Sequence, residues 1–222
     1  MLKKLIPLLF WVSPCFAGYY AGFAVGPQYA FYHQKAHVLG RGPNAMSNFD
    51  VLATNQFSGV GVQGSVLGGY DMIFPRGYYL AAEADLNLSS AEYLLTNDEL
   101  QRGNFAKSYF TIGSSLGLSV LPGFALTPTT LLYGRLGYAN GGLKIVEGAD
   151  PSIQNGNQRV SGISYGFGIR HALQPSWILM IDCRQINYQA FKSYTADAQV
   201  EKYTQIQPNT AQVMVGLLYH WV

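Results

Sequence analysis

Charge is scarce in this chain. Lys, Arg, Asp and Glu make up 12% of its 222 residues, about half the share of an ordinary soluble domain. Cysteine is scarcer still, with two residues, Cys15 and Cys183. Cys15 falls in the leader described below, so Cys183 is left alone, which excludes an intramolecular disulfide and a cysteine metal cluster. There is no HExxH, CxxC or phosphate-loop signature, and the chemistries that need those spacings lack their residues. No apolar run approaches the roughly 20 residues of a membrane-spanning helix. A basic excess is missing too. Of 14 basic and 12 acidic residues, Lys3 and Lys4 belong to the leader, and the balanced remainder gives nothing to draw the chain to nucleic acid.

The leader consists of Lys3 and Lys4, the apolar run Leu5 to Phe16, and Cys15-Phe16-Ala17 before Gly18. This order is that of a secretory signal with cleavage after Ala17. The expected organisation is a signal peptide over residues 1–17 and one domain over 18–222. Lipoprotein processing at Cys15 is the alternative, disfavoured by Pro14 where a small residue is needed.

What the chain has in quantity is glycine, tyrosine and alternation, with 25 Gly and 16 Tyr. From Val160 to Tyr188 the odd positions Ile163, Tyr165, Phe167 and Ile169 oppose Gly162, Ser164, Gly166, Gly168 and Arg170. After Gln174-Pro175-Ser176, Leu179, Ile181 and Cys183 oppose Asp182 and Arg184. A period of two means a hairpin of strands. One face is bulky and apolar, and the other is small or ionic. Small residues at every second position suit a crowded barrel interior, so the bulky face points outward, and an outward apolar face requires lipid.

The same pattern recurs along the chain and gives eight strands. They cover about Tyr19–Tyr32, Ser58–Phe74, Tyr78–Ser89, Lys107–Leu121, Thr130–Ala139, the two of the Val160–Tyr188 hairpin, and a last one around Val213–Trp221. The fold class is all-β, an eight-stranded antiparallel up-and-down transmembrane β-barrel. Its connections alternate long and short, as they do when long loops face outward and short turns face the periplasm. The four long extracellular loops are His33–Phe57, Ser90–Ala106, Asn140–Arg159 and Gln189–Pro208. Pro27 interrupts strand one and is expected to sit at a bulge. Parity places Ile112 outward and Thr111 inward. Aromatics near strand ends, among them Tyr19, Tyr20, Tyr32, Tyr78, Tyr79, Trp177, Tyr188 and Trp221, are expected to form interfacial girdles.

The segments GYYAGFAVG, GYYLAAEADL, LYGRLGYA, YGFGIRHALQPSWILMIDCRQINY and AQVMVGLLYHW together resemble the eight-stranded outer-membrane barrels of the OmpA-like and opacity-type surface-antigen group. The resemblance covers essentially the whole mature chain. It implies the outer membrane of a Gram-negative bacterium, neighbouring lipids and lipopolysaccharide as partners, and host or extracellular ligands bound through the loops. The chain is expected to be a monomer, with no nucleic-acid partner and no cofactor. Val222 follows Trp221, whereas such barrels usually end on an aromatic residue. Anchoring to the cell wall is not implied.

By parity Asp71, Glu83, Asp85 and Asp182 face the lumen with Arg135, Arg170 and Arg184. An eight-stranded barrel is just wide enough for side chains to fill it, so these groups are expected to satisfy one another as an internal plug. A gated polar path for small ions is the alternative, and acid-base catalysis needs a pocket the lumen has no room for. His220 is expected inward, as a satisfied lumen group, and His171 outward beside a short turn. His33, His37, Ser47 and Asp50 are the residues near the outer rim that a lipid A-modifying enzyme would use, read here as solvated loop groups. Glu147, Asp150 and Asn155 lack the regular spacing of a calcium site. No catalytic, cofactor or metal residue is assigned, and the chain is expected not to be an enzyme. The expected role is structural or recognition, adhesin-like, through the loops; a narrow pore is the alternative. A soluble ligand-carrying barrel is the rival at the level of fold.

Overall fold

The computed structural model describes residues 16–40, 48–101, 104–147, 156–196 and 200–221. Ten strands run in order: β1 (Phe16–Gly40), β2 (Phe49–Ile73), β3 (Tyr78–Ser89), β4 (Glu92–Gln101), β5 (Asn104–Ala125), β6 (Thr130–Glu147), β7 (Gly156–Gln174), β8 (Trp177–Tyr188), β9 (Phe191–Ala196) and β10 (Val200–Trp221). All pairings are antiparallel. β4 continues β3 along β5, and β9 continues β8 along β10. The ten strands therefore make eight staves. β1 pairs β10 from Tyr19↔Trp221 to Gly40↔Val200, which closes the barrel and removes its edges.

At one end the staves join through tight turns. In the turn at Pro75–Gly77, Arg76 and Gly77 take φ of 69° and 83°, and Phe74 donates its N–H to Tyr78 O at 2.7 Å. At the other end the ladders run on well past the band of apolar side chains. The connections expected as loops are therefore largely paired strand: β1 and β2 stay in register from Phe16↔Ile73 to Gly40↔Phe49. Alternation fades toward the tips of these extensions, where both faces meet water, as at Val51 and Leu52, both exposed. With no apolar face to mark, a strand loses its period-two signature without losing its ladder.

The polarity is turned inside out. Phe167 and Ile163 are each 61% exposed, while Asp182 and Arg170 are 2% and 3% exposed. At the short-turn end the outward aromatics touch as a belt: Tyr19 and Tyr70 rings lie 4.9 Å apart, Tyr78 and Phe124 5.8 Å, and Trp177 and Tyr219 5.2 Å. Inside, Tyr20, Leu67, Tyr79, Leu121, Met180 and Leu218 fill the short-turn half. Tyr32, Ile112, Leu143, Val160, Ile186 and Ile206 fill the far half. Glycine makes room for this. A Cβ at Gly168 would overlap the Tyr133 hydroxyl, and one at Gly69 that of Tyr20.

Three local expectations are corrected. Ile112 is inward, at 2% exposure, because Gly113 and Ser114 together face Gly142 between the pairs Ile112↔Leu143 and Ser115↔Gly141. That bulge reverses the in-out phase of β5, and Thr111 turns outward with it. Tyr20, Tyr32, Tyr79 and Tyr188 lie in the lumen at 1–4% exposure rather than in a girdle. In the doubled pairs Tyr19-Tyr20 and Tyr78-Tyr79, parity sends one ring to each side. Pro27 makes no bulge: the β1–β10 register is the same before it (Val25↔Val215) and after it (Gln28↔Gln212). A proline removes one ladder donor and need not insert a residue.

Candidate functional site

Three storeys of polar side chains cross the lumen, and adjacency in the ladder explains who meets whom. Nearest the short turns, His220 Nε2 on β10 lies 2.9 Å from Asp71 Oδ1 on β2. The Tyr79 hydroxyl donates to Asp71 Oδ2 at 3.3 Å while accepting from Arg170 Nη1 at 2.6 Å. The Arg170 guanidinium stacks on aromatic faces, 4.3 Å from the Tyr20 ring centre and 5.1 Å from that of Tyr133. Such stacking suits a weakly hydrated planar cation.

Glu83 is the hub of the middle storey. Its Oε2 accepts from Arg170 Nη2 at 2.6 Å and from the Tyr20 hydroxyl at 2.9 Å, and its Oε1 accepts from Arg135 Nη2 at 2.7 Å. Arg135 also donates through Nε and Nη2 to Asp182 Oδ2, at 3.1 and 3.0 Å, and the Tyr133 hydroxyl donates to the same oxygen at 2.7 Å. Each carboxylate thus takes two or more charge-assisted bonds in a space shut off from water, where such bonds are strong.

In the third storey Arg184 Nη1 reaches both oxygens of Asp85 at 3.0 Å, and its Nη2 donates to Asn87 Oδ1 at 3.1 Å. Gln63 donates to the same Asn87 oxygen at 2.8 Å and accepts from Gln28 at 2.7 Å. Above it lies the apolar layer of Tyr32, Ile112, Leu143 and Ile206. The lumen is filled from one end to the other by ion pairs, then amides, then hydrocarbon. All seven charged lumen residues named from parity, Asp71, Glu83, Asp85, Arg135, Arg170, Asp182 and Arg184, are buried and joined in this network. The tyrosines that complete it, Tyr20 and Tyr79, had a signal in their parity that their place near strand ends obscured. Gln28, Gln63 and Asn87 fall on the inward parity as well.

The rim residues come together in part. His37 Nε2 lies 2.7 Å from Asp50 Oδ1, both partly exposed. His33 instead sets its ring edge-on to Phe31, 6.0 Å between centres, and Ser47 lies outside the described residues. His171 Nδ1 meets Thr130 Oγ1 at 2.9 Å beside a short turn. Glu147 ends β6, while Asp150 and Asn155 lie outside the described residues. Among the described residues no three His, Cys, Asp or Glu side chains stand together as a metal site.

A closed antiparallel barrel of eight staves, greasy outside and ionic inside, defines a membrane-spanning β-barrel. Comparison with known families agrees: residues 8–218 match the model of the outer membrane protein beta-barrel domain, and the chain belongs to that family. The outer membrane of Gram-negative bacteria is therefore its place. Similar solved structures include Ail, the attachment invasion locus protein of Yersinia pestis, at 16% identity and TM-score 0.39, covering 91% of this chain and 98% of that one. Neisserial surface protein A is 14% identical with TM-score 0.41 and coverages of 90% and 97%. The outer membrane protein OprG from Pseudomonas aeruginosa is 10% identical with TM-score 0.45 and coverages of 90% and 96%. Likeness at this level extends to the fold alone. None of the curated proteins matches the chain significantly.

Proposed function

We propose that this protein is a surface scaffold that recognises extracellular ligands through its projecting hairpins, with the barrel serving as a rigid and non-conducting stem. The observation that carries the reading is the filling of the lumen. Every carboxylate and guanidinium of the ionic storeys is engaged, and an apolar layer lies between them and the outside. A stem of that kind offers neither a path nor a reaction chamber, which leaves the long β-hairpins as the working parts. Extended ladders hold these hairpins above the membrane, and binding groups on a rigid scaffold are the common arrangement for recognition.

The test is a hairpin-shortening series assayed for adhesion to host cells and matrix proteins, with barrel integrity followed by heat-dependent gel mobility. Loss of adhesion with intact mobility is expected when the β1–β2 or the β9–β10 hairpin is cut back. Adhesion unchanged by every shortening would end the proposal. In planar bilayers the purified protein is expected to be silent. Discrete conductance steps altered by Arg135→Ala would favour the narrow pore instead.

A further inference from the structure

The closed wall of the barrel parts beyond the apolar band, on the side of β2. β2 keeps its ladder to β1 from Phe16↔Ile73 to Gly40↔Phe49. Its ladder to β3 ends at Gln63↔Ser89, and one more backbone bond follows, from Ser90 N–H to Val62 O at 3.0 Å. The Val62 N–H is turned to the same side and donates to Ser90 Oγ at 3.0 Å. β3 then gives way to β4, which pairs with β5, and among the described residues no ladder joins β4 to β2. In an antiparallel strand the N–H and C=O of one residue point to one side and those of the next residue to the other. Val62 therefore sets the phase: Ser58, Gln56, Thr54, Leu52 and Asp50 direct their N–H and C=O groups away from β1, along an open edge of roughly 27 Å. Natural sheets guard such edges with short strands, charges, prolines or bulges. β9 is a short edge of six residues that includes Lys192, the end of β7 beyond Gly162 carries Arg159, and β4 carries Glu92, Asp98 and Glu99 with a register shift between Thr96 and Leu100. From Asp50 to Ser58, β2 has one charged residue and no proline, and Leu52 is 80% exposed.

We infer that the open edge of β2, from Asp50 to Ser58, binds an extended, cationic polypeptide segment by taking it up as a further strand. Paired donors and acceptors that repeat about every 6.8 Å are matched by the backbone of another strand. A sugar chain or a lipid headgroup carries no such repeat. Charge selects the class of segment. An added strand lies directly beside Asp50, and across the gap β4 brings Glu92, Asp98 and Glu99, while neither β4 nor β2 holds a Lys or Arg. Lys35 and Lys107 stand one strand further back, opposite Thr54 on β1 and opposite Thr96 on β5. His37 offsets Asp50 in part, with Nε2 2.7 Å from Oδ1. Opposite charges on neighbouring strands are favourable and like charges are not, so lysine or arginine is favoured in the incoming segment and acid is disfavoured. Leu52, left in water, gains cover from a β-branched neighbour in that segment. The inference rests on the recognition reading above and names the class of partner for one hairpin.

The experiment uses the full barrel in nanodiscs and a short fluorescent peptide of alternating valine and lysine. Two control peptides accompany it: the same sequence N-methylated at every amide, which keeps the charge and loses the donors, and one of alternating valine and glutamate. The valine-lysine peptide is expected to bind the parent, and N-methylation to weaken it about tenfold or more. Thr54→Pro removes a donor from the open edge and none from the β1 ladder, and is expected to weaken binding by about tenfold. At low salt the valine-glutamate peptide is expected to bind about tenfold more weakly than its lysine counterpart. Equal binding of the N-methylated peptide, or no effect of Thr54→Pro, would overturn strand addition, and a valine-glutamate peptide as tight as the lysine one would overturn the cationic class. Should Thr54→Pro not fold, the parent carries the test through infrared spectra of a peptide with carbon-13 carbonyls: a shift of the labelled band to the β-sheet position on binding is expected, and its absence would overturn the assignment. The peptide assay reads this inference and the hairpin-shortening series reads the recognition proposal, so the two fail separately.

Discussion

Replacing Glu83 by alanine removes a carboxylate that the Arg135 and Arg170 guanidiniums share. Its side chain is fully buried and accepts from Arg135, Arg170 and Tyr20. After the substitution Arg135 still holds Asp182, but Arg170 keeps only the hydroxyls of Tyr79 and Tyr20 and becomes a buried cation without a counter-charge. Breaking a buried pair in this way costs about 3–5 kcal/mol. Removing both partners costs less than the two separate losses together, because the orphan is gone. The double variant Glu83→Ala/Arg170→Ala is therefore expected to be more stable than additivity allows, by about 1–3 kcal/mol. Urea titration of the barrel in phospholipid vesicles, followed by the fluorescence of Trp177 and Trp221, reads all three variants. The cost is expected to persist at high salt, since buried pairs are little screened. A loss below about 1 kcal/mol for Glu83→Ala, or strict additivity in the double variant, would refute the view that the network is held together as a unit.

Two further outcomes follow from the same geometry. Gly26 lies on the seam that closes the barrel, where an added Cβ would overlap Val213 O on β10, so Gly26→Val is expected to slow or prevent closure and to abolish the compact, heat-sensitive gel form, while the same change at Gly64, which has open space, is tolerated. The His37–Asp50 pair is half exposed and is worth at most about 1 kcal/mol; His37→Ala is expected to leave both the unfolding midpoint and the mass of lipid A in expressing cells unchanged, and a mass difference would reopen the enzyme reading.

Much of the barrel is written in its alternation, and the reason is the two solvents it separates. Wherever one face meets hydrocarbon and the other a packed lumen, as at Ile163 to Arg170 or Tyr78 to Ser89, every second residue reports its side. The ionic residues of the lumen were legible for the same reason, since Glu83 or Arg135 stands out in a strand whose neighbours are leucine and alanine. Legibility fails where that contrast fails. Toward the hairpin tips both faces are wet, and strand such as Asp50 to Leu52 reads as loop. The bulge at Gly113-Ser114 has no residue that announces it, and one inserted position was enough to turn Ile112 from outside to inside. Tyrosine is ambiguous by its chemistry, since a ring with a hydroxyl suits an interface and a hydrogen-bonded interior equally; Tyr78 and Tyr79 take one role each.

The most direct test of the account asks what touches the bulky face. With Trp11, Trp177 and Trp221 replaced by phenylalanine, a single tryptophan is placed at Phe167 or, for contrast, at Met180 in the lumen, and its emission is followed in vesicles of lipids brominated along the acyl chain. Strong quenching at Phe167 and little at Met180 is the result expected of a barrel turned inside out. Quenching at Met180 with Phe167 silent would contradict the placement in a membrane, and with it the reading of the ionic lumen and of the hairpins above it.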